Sequence, residues 1–207
     1  IFMIHYNCEN ADFDLFDRQL SRIEDEFGAL LSRLKWVSLG GGIHFTGEGY
    51  PVDRLAARLK AFANRFGVQV YLEPGEAAIT NCASLEVTVL DILNNGKDLA
   101  VVDSSVEAHM LDLLIYRQAG KMETAGDHPY MICGKSCLAG DIFGEFSFPA
   151  PLNVGDRLSI ADAAGYTMVK KNWFNGVKMP SIVVREPDGS LTVAREFGYA
   201  DYESSLG

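Results

Sequence analysis

Apolar residues recur at steps of three and four from Phe16 through Leu20, Ile23, Phe27 and Leu30 to Leu34, which predicts an amphipathic helix over residues 12–34. Short apolar runs flank it. Ile1 to Tyr6 reads as a buried strand, and Trp36-Val37-Ser38-Leu39 as a second one that closes on Gly40-Gly41-Gly42. Pro51 opens another helix, with Val52, Leu55, Leu59, Phe62 and Phe66 as its apolar face and Gly67 as its stop. Val68 to Leu72 predicts a third strand, closing on Glu73-Pro74-Gly75. A β-α-β-α-β order with short connections requires a parallel sheet with helices packed outside it. Three strands are too few for a whole barrel, so residues preceding Ile1 are expected to supply the rest.

The pattern changes near Thr80. Leu85–Leu90 and Leu99–Val102 flank Asn94-Asn95-Gly96 and predict a hairpin. Ser104 to Leu114 predicts one or two helical turns, with Ser104 or Asp103 as N-cap. Further strands are expected at Tyr130–Cys133, Ile142–Phe148, Arg157–Ala161, Ser181–Arg185 and Leu191–Arg195, the last two joined by Pro187-Asp188-Gly189. Residues 81–207 therefore read as a second, mainly antiparallel β domain, and residues 1–80 as an α/β unit.

Composition narrows the function. Of 207 residues 48% are hydrophobic, enough for one large core or two modest ones, and bulk disorder is excluded. The formal net charge is −10, and no basic run exceeds Lys170-Lys171, so nucleic acid and anionic membranes are poor partners. No stretch approaches the ~20 apolar residues of a bilayer span. Cys8, Cys82, Cys133 and Cys137 fit neither a zinc ribbon nor a C-x-x-C redox pair, which points to free thiols in a cytoplasmic protein without a metal site.

Three candidate signals close three successive parallel strands: His5 with Asn7 and Cys8, the triplet Gly40, Gly41 and Gly42, and Glu73 before Pro74-Gly75. In (β/α) barrels that end of the strands builds the active site. Singly each has a plainer reading: a packing histidine, a turn, a solvated carboxylate. Glycines at such a point expose backbone N–H groups suited to a phosphate. Cys137, in the Gly-bounded loop Gly134–Asp141, and Tyr166, after Ala164-Gly165, could equally be a small buried thiol and a packing aromatic.

Taken in order, five segments resemble the fold-type III pyridoxal-phosphate decarboxylases, the group that includes ornithine, diaminopimelate and biosynthetic arginine decarboxylases. They are His5-Tyr6-Asn7-Cys8-Glu9-Asn10, Leu39-Gly40-Gly41-Gly42-Ile43-His44-Phe45-Thr46, Glu73-Pro74-Gly75-Glu76-Ala77, Gly134-Lys135-Ser136-Cys137-Leu138-Ala139-Gly140-Asp141 and Ala164-Gly165-Tyr166-Thr167-Met168. Their variants are most similar to the branch acting on carboxylated polyamines. The resemblance covers essentially the whole chain. It implies that residues 1–80 are the last part of an alanine-racemase-like (β/α)8 barrel and residues 81–207 an antiparallel β domain. It implies pyridoxal 5'-phosphate as cofactor and a homodimer with shared active sites. His5 would stack on the cofactor ring, and Glu73 would pair with the ring nitrogen. Gly40, Gly41, Gly42 and Tyr166 would hold the phosphate. Cys137 would protonate the product from a partner subunit, and Asp103 would meet a substrate ammonium.

The implied reaction is decarboxylation of carboxynorspermidine or carboxyspermidine to norspermidine or spermidine. Alternatives are a diaminopimelate- or arginine-type decarboxylase, or an inactive regulatory homologue. The chain departs from the family pattern in three places. Glu76 stands where many relatives carry a phosphate-holding Arg, and it could face a cationic substrate instead. Leu138 follows Cys137 where many relatives have Asp, which disfavours ornithine. The Schiff-base lysine is expected on an early strand before Ile1, since no lysine here matches its motif.

Overall fold

The computed structural model describes residues 2–207. The chain divides into two compact units, the first ending at Thr80 and the second running Asn81–Gly207.

In the first unit, β1 (Phe2–Met3), β2 (Trp36–Ser38) and β3 (Gln69–Tyr71) form a parallel sheet in that order. Helices α1 (Phe13–Leu31) and α2 (Val52–Phe66) connect them. Asp12 caps α1, its carboxylate accepting the N–H groups of Asp14 at 2.8 Å and Leu15 at 3.1 Å. Phe16, Leu20, Leu31, Val37, Leu39 and Phe62 are fully buried and make the core between helices and sheet. Gly67, left-handed at φ 66°, ends α2 as the sequence suggests. The helices are also joined by charge. Glu24 is buried and accepts from Arg58 Nη1 and Arg65 Nη1, each at 2.9 Å, while Arg58 Nε reaches Asp17 at 2.5 Å. Burial alone would lower the pKa of Arg58, but Glu24 and Asp17 outweigh it and raise it.

Three expectations change here. Helix α1 stops at Leu31, so Leu34 lies beyond it, and Phe27 and Leu30 are more than a third exposed rather than part of its buried face. The first strand is two residues long, with Met3 54% exposed, so the buried run expected from Ile1 to Tyr6 does not form; Ile1 itself lies outside the described residues. That edge has no strand beside it among the described residues.

The second unit carries a five-stranded sheet made of β4 (Ser84–Asn94), β5 (Asp98–Val102), β6 (His128–Cys133), β7 (Ile142–Phe148) and β8 (Arg157–Ala161). Their order across the sheet is β7-β6-β5-β4-β8. The hairpin at Asn94–Gly96 forms as predicted, closed by pairing of Asn94 with Asp98. The sheet, however, is mixed: β5 and β6 pair in parallel, from Leu99 with Met131 to Val101 with Cys133. A parallel pair needs a crossover. Here it contains α3 (Val106–His109) and α4 (Leu111–Tyr116), which the apolar pattern alone did not reveal as a crossover. Val87, Val89, Val102, Ile132, Phe143 and Ile160 fill the core. Strands β9 (Ile182–Arg185) and β10 (Leu191–Arg195) form a separate antiparallel hairpin. Helices α5 (Tyr166–Lys170) and α6 (Tyr199–Ser205) were not anticipated, being too short to show a period. The N-cap of α3 is Ser105, whose hydroxyl accepts from Ala108 N–H; Asp103 and Ser104 are held elsewhere.

Candidate active site

The parallel register aligns Met3 with Ser38 and Ser38 with Tyr71. His5, Gly40 and Glu73 each stand two residues past that row, so the alternation of the strands carries them to the same end of the sheet. The backbone keeps the register there, Glu73 N–H donating to Gly40 O at 2.9 Å and Leu39 N–H to Tyr71 O at 2.9 Å. Ser38, buried beneath, donates its hydroxyl to Glu73 Oε1 at 2.5 Å and accepts Gly40 N–H at 3.2 Å. Gly41 N–H reaches His5 Nδ1 at 3.4 Å. The five residues expected to share this end, His5, Gly40, Gly41, Gly42 and Glu73, are thus brought together within the first unit.

Only glycines permit the approach. A Cβ on Gly41 would stand 2.3 Å from Glu73 O, and one on Gly42 would stand 2.3 Å from Asn7 O. Asn7 is buried below His5 and accepts from Asn10 Nδ2 at 2.7 Å. Beside it, burial pushes the Tyr6 phenol up to about 12, against the opposing influence of the Asn7 side chain. Glu76 opens the 3₁₀ turn Glu76–Ala78, three residues beyond Glu73.

In the second unit, Asp103 follows β5. Its Oδ1 accepts Thr88 N–H at 2.8 Å, and its N–H returns a bond to Thr88 O at 3.0 Å. Cys137 is exposed in the loop between β6 and β7, with Asn175 Nδ2 3.1 Å from its sulfur. That loop is tied to the segment after Asp103: Lys135 N–H donates to Ser104 O at 2.9 Å, and Val106 N–H donates to Asp141 Oδ1 at 2.7 Å. Tyr166 begins α5, with Lys170 Nζ 4.5 Å above its ring. The hydrogen bond from Lys170 to Asp112, at 2.5 Å, raises the pKa of Lys170. All four cysteines are free thiols. The described residues include no group of side chains able to hold a metal ion, and no helix among them is long and apolar enough to cross a membrane.

Sequence reasoning gave no role to Ser38, Asp141, His109 or Asn175. Ser38 left a faint signal as the one polar residue in an apolar strand, and Asn175 as an Asn-Gly turn. Asp141 was visible only as the end of a Gly-bounded loop.

The family model for the pyridoxal-dependent decarboxylase C-terminal sheet domain matches residues 6–164, and the chain belongs to that family. It is 62% identical over 205 residues, 99% of its length, to a carboxynorspermidine/carboxyspermidine decarboxylase of Herminiimonas arsenicoxydans. It is 38% identical over all of its length to a carboxyaminopropylagmatine decarboxylase of Synechocystis. The crystal structure of a carboxynorspermidine decarboxylase from Campylobacter jejuni, complexed with norspermidine, matches 98% of the chain with a TM-score of 0.91 at 36% identity. The chain spans 56% and 55% of the length of those two curated relatives and 59% of the crystallised chain.

Proposed function

We propose that the whole protein is a pyridoxal 5'-phosphate-dependent decarboxylase acting on carboxynorspermidine and carboxyspermidine, and that residues up to Thr80 are the last strands and helices of its cofactor-binding barrel. The observation that carries the cofactor reading is the end of the parallel sheet, where Ser38 holds the exposed Glu73 carboxylate beside His5 and the glycines. The donor set fits. Glu73 keeps one oxygen on Ser38 and can offer the other to a protonated ring nitrogen, while His5 can cover the ring face. Gly40 turns its N–H inward to Ser38 and Gly41 rests its N–H on His5 Nδ1, so Gly41 would give up that bond to join Gly42 as a phosphate donor, to which the resemblance adds the Tyr166 hydroxyl. When bound, the cofactor would supply an electron sink for the pair released as CO2 leaves.

The chain's own residues do the rest. Glu73 fixes the ring's charge, Asp103 and Glu76 offer carboxylates to the distant amines of the substrate, and the Cys137 thiol hands a proton to the carbon that lost CO2. The Cys137 loop is the part that a homodimer with shared sites would set against a second copy. The carboxypolyamine reading draws on the Herminiimonas relative. The Synechocystis relative supports a second carboxylated substrate, carboxyaminopropylagmatine. Each charge-assisted bond to a substrate amine contributes ~1.5–3 kcal/mol. Asp103→Ala and Glu76→Ala should therefore each lower kcat/KM for carboxynorspermidine roughly tenfold to a hundredfold. The test is a competition assay with the full-length enzyme. It offers carboxynorspermidine, carboxyspermidine, carboxyaminopropylagmatine, ornithine, arginine and meso-diaminopimelate. A preference for diaminopimelate, arginine or ornithine would overturn the substrate, and no turnover of any of them would favour a regulatory homologue.

A further inference from the structure

Asp141 is a carboxylate at 5% exposure whose bonds are all to neutral donors. Its Oδ1 accepts Val106 N–H at 2.7 Å; its Oδ2 accepts Ser136 N–H at 3.0 Å and the Ser136 hydroxyl at 2.5 Å. Burying a charge that way is expensive, and leucine-like packing would fill the space at less cost. The surroundings are built around it. A Cβ on Gly134 would stand 2.2 Å from Asp141 Oδ1, so the loop can close on the carboxylate only because residue 134 is glycine. Gly134 N–H also donates to Asp141 O at 2.7 Å.

The two things this carboxylate joins are the Cys137 loop and the backbone three residues after Asp103. A second tie runs parallel to it, Lys135 N–H to Ser104 O, and the Ser104 hydroxyl is itself held 2.8 Å from Nδ1 of the buried His109. The stretch that carries Asp103 is therefore fixed on one side by Thr88 and on the other by the loop that carries Cys137. None of these hydrogen bonds is made to the sulfur, whose partner is Asn175. What the network fixes is the place of the loop that carries the thiol.

We propose that Asp141 is a positioning residue for the reaction, holding the Cys137 loop against the backbone of Val106 so that the thiol is presented in one place to the site it serves. This rests on the role given to Cys137 above. Asparagine at position 141 keeps the shape but turns an N–H₂ against either Val106 N–H or the Ser136 donors, so the two segments lose their common acceptor. Ser136→Ala removes one of the bonds and leaves the carboxylate.

The experiment uses the full-length, cofactor-loaded enzyme with carboxynorspermidine. It compares Asp141→Asn and Ser136→Ala with wild type and with Cys137→Ala. Hydrogen bonds to a charged group set the scale. Asp141→Asn should lower kcat roughly tenfold to a hundredfold per cofactor-loaded site, and Ser136→Ala severalfold, with KM changing less than kcat. Alkylation of Cys137 by iodoacetamide, followed by mass spectrometry of its peptide against those of Cys8 and Cys82, should quicken severalfold in Asp141→Asn as the loop is released. A merely structural Asp141 would lower the melting temperature but leave kcat per loaded site and the Cys137 alkylation ratio at wild-type values, and that result overturns the proposal. Should Asp141→Asn not fold, an unchanged kcat and alkylation ratio in Ser136→Ala overturns it equally. Near-normal kcat in Cys137→Ala would instead remove the role of Cys137 itself, while the alkylation ratio still reports whether Asp141 places the loop.

Discussion

At the scale of single residues, the buried groups carry the clearest consequences. His109 is 4% exposed, and burial pushes its pKa down to about 4, with Lys135 acting the same way and Asp103 and Asp141 opposing. The folded protein thus holds this ring neutral at pH values where the unfolded chain, near 6.5, has begun to protonate. Above 6.5 the two states bind equal protons and nothing is lost. As pH falls from 6.5 towards 4 the unfolded state takes up a proton that the folded state refuses, and stability drops by about 3 kcal/mol in all. His109→Asn can keep the bond to Ser104 without titrating. Urea midpoints measured from pH 7.5 to 4.5 should fall more steeply in wild type than in His109→Asn, and parallel lines would show that His109 charges freely in the fold. The residues legible in the sequence were those that punctuate strands: His5, the glycine triplet and Glu73. Those that orient them were not. Ser38 finds Glu73, and Asp141 finds Val106, each across 35 positions, a distance over which no local spacing speaks.

At the scale of elements, periodicity identified both helices of the first unit and most strands of the second, because each buries one face against a sheet. It failed where burial is not one-sided or where an element is short. Helix α1 ends three residues before its apolar repeat does, since Leu34 serves the turn into β2. The parallel pairing of β5 and β6 depends on where the chain returns after residue 102, and hydrophobic alternation is blind to strand direction. The strand ends of the first unit are a tight junction between elements. Gly41→Ala drives a methyl against a backbone oxygen that no rotamer change can move aside, so β2 and β3 must part. A destabilisation of ~1–3 kcal/mol is expected, the scale of overpacking, with cofactor affinity falling beside it. Gly75→Ala, where an added Cβ meets nothing within 4 Å, should stay within ~0.5 kcal/mol of wild type. Equal effects of the two substitutions in denaturant titrations would show that the triplet is an ordinary turn.

At the scale of the whole molecule, each unit owns a core and a set of candidate groups: His5, the glycine triplet and Glu73 in one, the thiol, the tyrosine and Asp103 in the other. The family of the chain was legible because those motifs keep their order over its length, whereas the mixed topology of the second sheet was not. Strand β4 shows what that topology asks of a growing chain. Its later half pairs at once with β5 through the turn at Asn94–Gly96, but its earlier half waits for β8: Leu85 pairs with Ile160, about 75 residues downstream. At the ~5–20 residues per second of protein synthesis, that is about 4–15 s during which one edge of the strand stands without its neighbour. Ribosome-bound chains stalled before Arg157 should be cut within β4 by a nonspecific protease, and chains extended well past Ala161, so that β8 has left the exit tunnel, should resist. Protection of the shorter chains would mean that the sheet is sealed before its last strand is made. The same interval is when an edge this apolar, with Leu85 and Val87 unburied, is open to strand exchange with another nascent copy, so pauses in translation between β4 and β8 have a cost in aggregation that pauses after β8 do not.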